Sequence, residues 1–334
     1  MLFAGRGGVL YPGWREGNVK FWLLPLVLAS HLTVAAPIFV DRAVVVTFDD
    51  LPFTSVPNED DVTLENMTHR LLQSLQYAGV PAVGFVNENK LYREGNLDIA
   101  RVSLLRSWIK AGFDLGNHTF SHLSINRVPL GVFEADLLRG EIITRPLMHD
   151  EGRTLRWFRP PFLHIGKTTA DILALEGVLH EHGYTLAPVT VNNSEWQFAA
   201  AYAKAQAQGD AATANRIGAA YVPYMGTVFT WAERLSDDLF GHAIPQVLLL
   251  HANSLNADYL ADLADMLKQR GYRFISLAEA LKYPAYSLPL NVSQLEGESW
   301  LERWSRDVGL RPSRSPSAPG FILKQAGRDG RSAY

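Results

Sequence analysis

Along most of this chain of 334 residues, short apolar runs alternate with longer stretches whose apolar positions recur at helical spacing. The runs are rich in β-branched residues and end at turn signals. Strands are therefore expected near 44–48, 82–86, 113–115, 155–158, 185–190, 247–250 and 273–275. Between them, positions 63–78, 97–111, 132–147, 168–182 and 257–269 each carry one apolar face and read as helices. Strands and helices in regular alternation imply parallel strands joined by crossover helices, an α/β fold. About seven such units suggest a distorted (β/α) barrel, with an open doubly wound sheet as the alternative.

Two stretches break the rhythm. Positions 198–240 are Ala-rich and helical in pattern, carry Tyr202, Tyr221, Tyr224, Phe229 and Trp231, and read as a helical insertion ahead of the sixth strand. A structural cap is its first reading and a specificity lid its second. Beyond Leu290 the alternation stops, and the composition from Arg311 to Gly320 is that of a partly disordered tail over 291–334. The folded domain is expected over 37–290. At the other end, Lys20 precedes apolar positions 21–34, and Thr33-Val34-Ala35-Ala36 offers small residues for signal-peptidase cleavage. That run is shorter than the roughly 20 residues of a spanning helix. Residues 1–36 therefore read as a secretion signal with an N-terminal extension, an uncleaved anchor being the alternative. The expected location is secreted or periplasmic.

Composition narrows the chemistry. With 47% hydrophobic residues the chain can bury a full core. A formal net charge of −3 gives no reason to expect nucleic acid or an anionic membrane as partner. The chain has no cysteine, so disulfides and thiolate metal sites are excluded, and any metal must sit on His and carboxylate.

The run Ala43-Val44-Val45-Val46 ends in Thr47-Phe48-Asp49-Asp50. Adjacent carboxylates there rarely serve packing, because burying unpaired charge costs several kcal/mol. His118-Thr119-Phe120-Ser121-His122 offers imidazoles at i and i+4, the spacing of one helical face. One Asp with two His is a three-ligand set that leaves a metal an open position for water, as hydrolysis needs. His251 ends Val247-Leu248-Leu249-Leu250, and Arg159 opens Arg159-Pro160-Pro161-Phe162, whose prolines stiffen the backbone behind the guanidinium. Asn192-Asn193-Ser194-Glu195-Trp196 follows the fifth strand. In parallel α/β folds the reactive groups gather at the C-terminal ends of strands, so these loops converge on one rim. Each residue also has a blander reading: a solvated turn for the Asp pair, surface positions for His118 and His122, a core histidine for His251, a helix-start carboxylate for Glu195. His164, His180, His182 and His242 take the core or surface reading first, and His164 stands nearest the rim.

Taken in order, these motifs resemble the polysaccharide deacetylase family, the NodB-like deacetylases of carbohydrate esterase family 4. Thr-Phe-Asp-Asp at 47–50, His-Thr-x-Ser-His at 118–122, Arg-x-Pro-aromatic at 159–162 and Leu-x-His at 249–251 carry the resemblance, which with its flanking strands covers about 40–285. It implies zinc or a similar divalent ion on Asp50, His118 and His122, with Asp49 as general base kept ionised by Arg159. It implies an oxyanion contact from the Phe162 backbone, His251 as general acid, and Leu249, Phe162 and Trp196 against the sugar. The family's Asp-x-x-Asp-Trp stands here as Asn192-Asn193-Ser194-Glu195-Trp196, so Glu195 has to partner His251 with one extra methylene and Asn192 has lost a charge. The expected activity is metal-dependent removal of acetyl groups, N-acetyl before O-acetyl, from an acetylated glycan. The alternatives are hydrolysis of a small cyclic amide, as in allantoinase-like relatives, and glycan binding without catalysis.

Overall fold

The protein, seen here in a computed structural model, is described over residues 42–289 and 297–327. The expected secretion signal over 1–36 lies outside the described residues. Nine strands follow one another: β1 (Arg42–Leu51), β2 (Ala82–Val86), the short antiparallel pair β3 (Tyr92–Arg93) and β4 (Asn96–Leu97), β5 (Asp114–Asn117), β6 (Trp157–Phe158), β7 (Thr185–Leu186), β8 (Gln246–His251) and β9 (Tyr272–Phe274). All but β3 and β4 form one parallel seven-stranded sheet in the order β7-β6-β5-β2-β1-β8, with β9 on the first residues of β1. Beyond β7 the chain runs on until Val191 bridges Leu248 of β8, so the two ends of the sheet meet. The curl closes there, which decides for the distorted barrel over the open sheet.

Helices α1 (Asp61–Ala78), α2 (Ile99–Lys110), α3 (Leu130–Arg139), α4 (Thr144–Asp150), α5 (Thr169–Glu181), α6 (Glu195–Ala207), α7 (Ala211–Phe240), α8 (Ser254–Gln269) and the short α9 (Leu277–Ala280) accompany the strands. Strand alternation sorts β1 between two cores. Val44, Val46 and Phe48 pack with the helices, whereas Ala43 and Val45 join Val83, Phe85, Trp157, Ala187 and Val247 in a small core of strand residues. Thr47 and Asp49 share the second face by the same period of two.

The differences from the sequence reading have local causes. The expected strand at 185–190 is a ladder only at Thr185–Leu186, because Pro188 has no N–H to continue it. The expected helix at 132–147 splits into α3 and α4 around Gly140. A Cβ on that glycine would meet the backbone of Thr119 and Phe120 at 2.6 Å, so its smallness lets the 119–120 loop settle against the helix end. The helical insertion is built of two helices, hinged at Gly209 with φ +68 and restarted by Asp210, which accepts from the Thr213 N–H. The tail is the largest correction. Its described part, 297–327, holds α10 (Trp300–Asp307) and α11 (Gly320–Ala326), with Trp300, Leu301, Trp304 and Ile322 buried. Burying a side chain such as Leu301 or Ile322 contributes about 1.5–3 kcal/mol, enough to hold a segment whose middle has the composition of a loop. Ser299 and Glu302 cap α10 reciprocally.

Candidate active site

The C-terminal ends of β1, β5, β6 and β8 carry the reactive groups. Inside the curl, Arg159 is fully buried and donates to the carbonyls of Ala187 (2.9 Å) and Pro188 (3.3 Å) and to Thr47 Oγ1 (3.1 Å). Its guanidinium lies 4.6 Å from the centre of the Phe85 ring and 3.4 Å from both oxygens of Asp49. Strand alternation alone would send Asp50 to the face opposite Asp49. Instead, Asp50 takes a left-handed conformation (φ 66), and the register of β1 on β2 shifts between Phe48 and Leu51. Asp is one of the few residues that tolerate this conformation, and the irregularity re-aims its carboxylate.

His118 and His122 are not on a helix. His118 continues beyond β5, its N–H donating to the Val86 carbonyl at 3.0 Å, and Thr119 (φ 63) and His122 (φ 56) turn the loop with left-handed backbone. Neighbouring polar groups hold that costly shape. Asn117 Oδ1 accepts from the Thr119 N–H at 2.7 Å, and Asp136 accepts from the Ser121 N–H and hydroxyl at 3.0 and 2.8 Å. The i, i+4 spacing thus brings the two imidazoles together for a reason other than helical periodicity.

Asp50 Oδ1 stands 3.8 Å from Nε2 of His118 and 3.8 Å from Nε2 of His122. Asp49 approaches His118 alone, also at 3.8 Å, so among the described residues Asp50 is the carboxylate placed between both imidazoles. One ligand atom from each of Asp50, His118 and His122 lies within 4.8 Å of the others, and buried Asp50 Oδ1 accepts no hydrogen bond. His118 Nδ1 lies 2.6 Å from the Arg159 carbonyl, which fixes the proton on Nδ1 and turns the lone pair of Nε2 toward Asp50. Two imidazole nitrogens and a carboxylate oxygen with an unanswered lone pair fit a divalent ion. Burial opposes charge at each of these groups. Burial, with His122 beside it, lowers the His118 pKa well below that of free imidazole, and burial lowers that of His122. At Asp50 burial is outweighed by Lys90, His122, His251 and His118, which hold the carboxyl well below the usual range. At Asp49 burial wins over Arg159 and pushes the pKa up to about 6, so the ion pair orients that carboxylate more than it keeps it ionised.

Across the site, in-register pairing of β1 with β8 sets His251 beside Asp49. His251 Nδ1 lies 2.7 Å from Glu195 Oε2. The other carboxylate oxygen, Oε1, accepts from Asn253 Nδ2 at 2.5 Å and Asn256 Nδ2 at 2.7 Å. Asn256 in turn donates to the His251 carbonyl (2.9 Å) and accepts from the Tyr221 hydroxyl (2.8 Å). Burial works against the imidazolium of His251, but the charge and hydrogen bond of Glu195, with Asp50 and Asp49, outweigh it and raise the pKa. A cavity of about 430 Å³ opens onto these groups, with Asp49, His118, His122 and His251 in its lining beside Phe162, Leu249 and Trp196.

Residues 39–187 match the model of a known family, polysaccharide deacetylase. A search of curated proteins found no match. Among solved structures, the chain is similar to a family 4 carbohydrate esterase from Streptomyces lividans at 21% identity over 72% of this chain and 96% of that one, TM-score 0.44. It is similar to the chitin deacetylase of Colletotrichum lindemuthianum at 22% identity over 71% and 86%, TM-score 0.45. A further likeness is to the activity-restored mutant of a family 4 pseudoenzyme from Bacillus anthracis, at 16% identity over 72% and 68%, TM-score 0.47.

Within this deacetylase frame the two departures from the family motif find partners. The extra methylene of Glu195 is taken up at the start of α6, where the side chain reaches His251, Asn253 and Asn256 at once. The amide of Asn192 donates to the Gly297 carbonyl, which a carboxylate in its place could not do. Arg159, Glu195 and Asp50 are not among the cavity-lining residues; Arg159 and Glu195 meet the cavity groups through Asp49 and His251. His164 is buried behind Phe162, stacked on it at 5.4 Å with Nδ1 2.7 Å from Ser124 Oγ, and does not line the cavity. His180 and His242 are exposed, and His182 pairs with Glu134 at 2.8 Å. Lys90, Asp136, Asn253 and Asn256 went unnoticed in the sequence, and Tyr221 stood out only as an aromatic of the insertion. Their motif-free contexts carry no signal, except that Asn253 sits two positions past His251 as the N-cap of α8.

Proposed function

We propose that the protein is a metal-dependent deacetylase of an acetylated glycan, N-acetyl before O-acetyl, working outside the cytoplasm as the N-terminal sequence suggests. The observation that carries this reading is one cavity lined by a carboxylate base, Asp49, an imidazole acid, His251, and the imidazoles of His118 and His122, both of which face the buried Asp50. Asp50, His118 and His122 would hold zinc or a similar ion, which when bound polarises an acyl carbonyl and makes water acidic enough to attack near neutral pH. Asp49 takes the proton from the attacking water, held in line by Arg159. The backbone N–H of Phe162 helps carry charge on the carbonyl oxygen. His251, kept protonated by Glu195, gives its proton to the leaving amine or hydroxyl, and acetate departs. Phe162, Leu249 and Trp196 supply the apolar surface on which a sugar face can rest.

The test is acetate release from N-acetylglucosamine oligomers, peptidoglycan and acetylated xylan, with and without added zinc. Asp49→Asn is expected to lower turnover about 10²–10⁴-fold while zinc stoichiometry stays at the wild-type value. Undiminished turnover in that variant would overturn the assignment of the base.

A further inference from the structure

Five residues of the segment 297–317 stand in the cavity lining: Gly297, Glu302, Ser315, Pro316 and Ser317. This segment lies outside residues 39–187, the stretch that matches the family. It is tied down at both ends. At one end, the Gly297 N–H donates to the Phe162 carbonyl at 3.1 Å, Arg303 donates to the Leu163 carbonyl at 2.7 Å, and the Trp300 N–H donates to the Val189 carbonyl at 2.7 Å. At the other, Tyr224 of α7 donates its hydroxyl proton to the Pro316 carbonyl at 3.1 Å, and the Trp231 indole N–H donates to the Ser313 carbonyl at 2.9 Å. The segment thus runs from the Phe162–Leu163 turn, on one flank of the reactive groups, to α7 behind the Asn192–Trp196 loop, on another. A surface groove that a polymer threads must be open in both directions. Here backbone fastened to the barrel stands along one side of the cavity, whose volume of about 430 Å³ lies toward the small end of the roughly 300–1,000 Å³ that hold a compact ligand.

We infer that residues 297–317 close one end of the cleft, so that the site takes short acetylated saccharides or the terminal unit of a longer chain. The inference rests on the deacetylase reading. It is tested on the full chain with zinc, using N-acetylglucosamine oligomers of one to six units and the polymer, with mass spectrometry locating the unit that loses its acetyl group. The expected result is kcat/KM per chain that stops rising at the dimer and acetyl loss confined to a terminal unit. Rates that climb with each added unit, with loss from internal units, overturn the inference and leave the deacetylase reading standing. No acetate from any length, in folded protein that binds zinc, overturns the deacetylase reading and the inference with it. Ser315→Trp supplies an independent arm, since Ser315 is half-buried at the wall and outside the reactive set. It is expected to raise KM for the dimer at least tenfold with zinc binding unchanged. An unchanged KM places the segment away from the substrate and overturns the inference.

Discussion

On one side of the cavity, Asp50 Oδ1 stands 3.8 Å from the nearest imidazole nitrogen of both His118 and His122, too far to hydrogen-bond. On the other, Glu195, His251, Asn253 and Asn256 meet at 2.5–2.9 Å and answer one another's donors and acceptors. Both groups are buried, and both contain a carboxylate and imidazole. The difference lies in what each is built to do. The first leaves a lone pair on Asp50 Oδ1 unanswered, and under the proposed function a bound cation would answer it. The second is complete without a ligand, because a proton donor has to hold its geometry and charge before substrate arrives. Under the proposed function, the looser set of polar atoms would take the ion and the tighter one would hold the acid.

The comparison makes its largest claim about zinc and heat. A ligand that binds only the folded state at about a thousandfold excess over its Kd stabilises by about 4 kcal/mol. For a domain of this size that corresponds to a rise of about 10 °C in Tm. Wild-type protein freed of metal with a chelator should therefore melt at a markedly higher temperature once zinc is restored. His118→Ala should lose most of that rise, and Glu195→Gln should keep it in full. Scanning calorimetry on the three proteins reads the outcome directly. A rise that Glu195→Gln abolishes and His118→Ala preserves would exchange the roles of the two sides.

A smaller effect, visible in pH rather than temperature, probes the complete side. His251 must carry its proton to act as acid, so activity falls as pH rises through its pKa. Glu195 holds that pKa above the free imidazole value. Removing the charge with Glu195→Gln leaves burial less opposed, lowers the pKa and moves the alkaline limb of the kcat profile to lower pH. Loss of one hydrogen bond to a charged group, about 1.5–3 kcal/mol, sets the expected fall in rate at the optimum at roughly ten- to a hundredfold. A limb that stays in place would separate Glu195 from the acid function.

The two sides also differed in how far the sequence revealed them. Asp49, Asp50, His118, His122 and His251 were legible because they end apolar runs or repeat a short spacing, and the barrel was legible from strand–helix alternation. The loop geometry that aims them was not. Left-handed backbone at Asp50, Thr119 and His122 has no signature in residue pattern, and helical spacing led to the wrong local structure for the right pair. On the acid side only His251 and Glu195 stood out. Asn253 and Asn256 reach Glu195 across 58 and 61 positions of chain and Tyr221 reaches Asn256 across 35, and no local pattern predicts such a meeting. The tail was misread for a related reason. Composition near 311–320 describes the loop, while Trp300, Leu301 and Trp304 decide that the segment packs.

The outermost member of the acid network gives the finest test of its completeness. Tyr221 is buried in α7, and its hydroxyl donates to Asn256 Oδ1 at 2.8 Å, the first of three hydrogen bonds that lead through Glu195 to the His251 imidazole. Tyr221→Phe keeps the ring that packs on Phe198 at 5.7 Å and removes only that donor. If the network is a chain of positioning bonds, Asn256 keeps both of its own donations, to Glu195 and to the His251 carbonyl, and loses only the anchor on its acceptor side. The expected cost is about 1 kcal/mol of stability, the net worth of an ordinary neutral hydrogen bond, read as a drop of about 2–4 °C in Tm. Turnover should stay within about twofold of wild type, because Glu195 still answers the imidazole. A tenfold loss of turnover with Tm unchanged would mean that Tyr221 acts on the acid itself, and the network would then be part of the proton path rather than its scaffold.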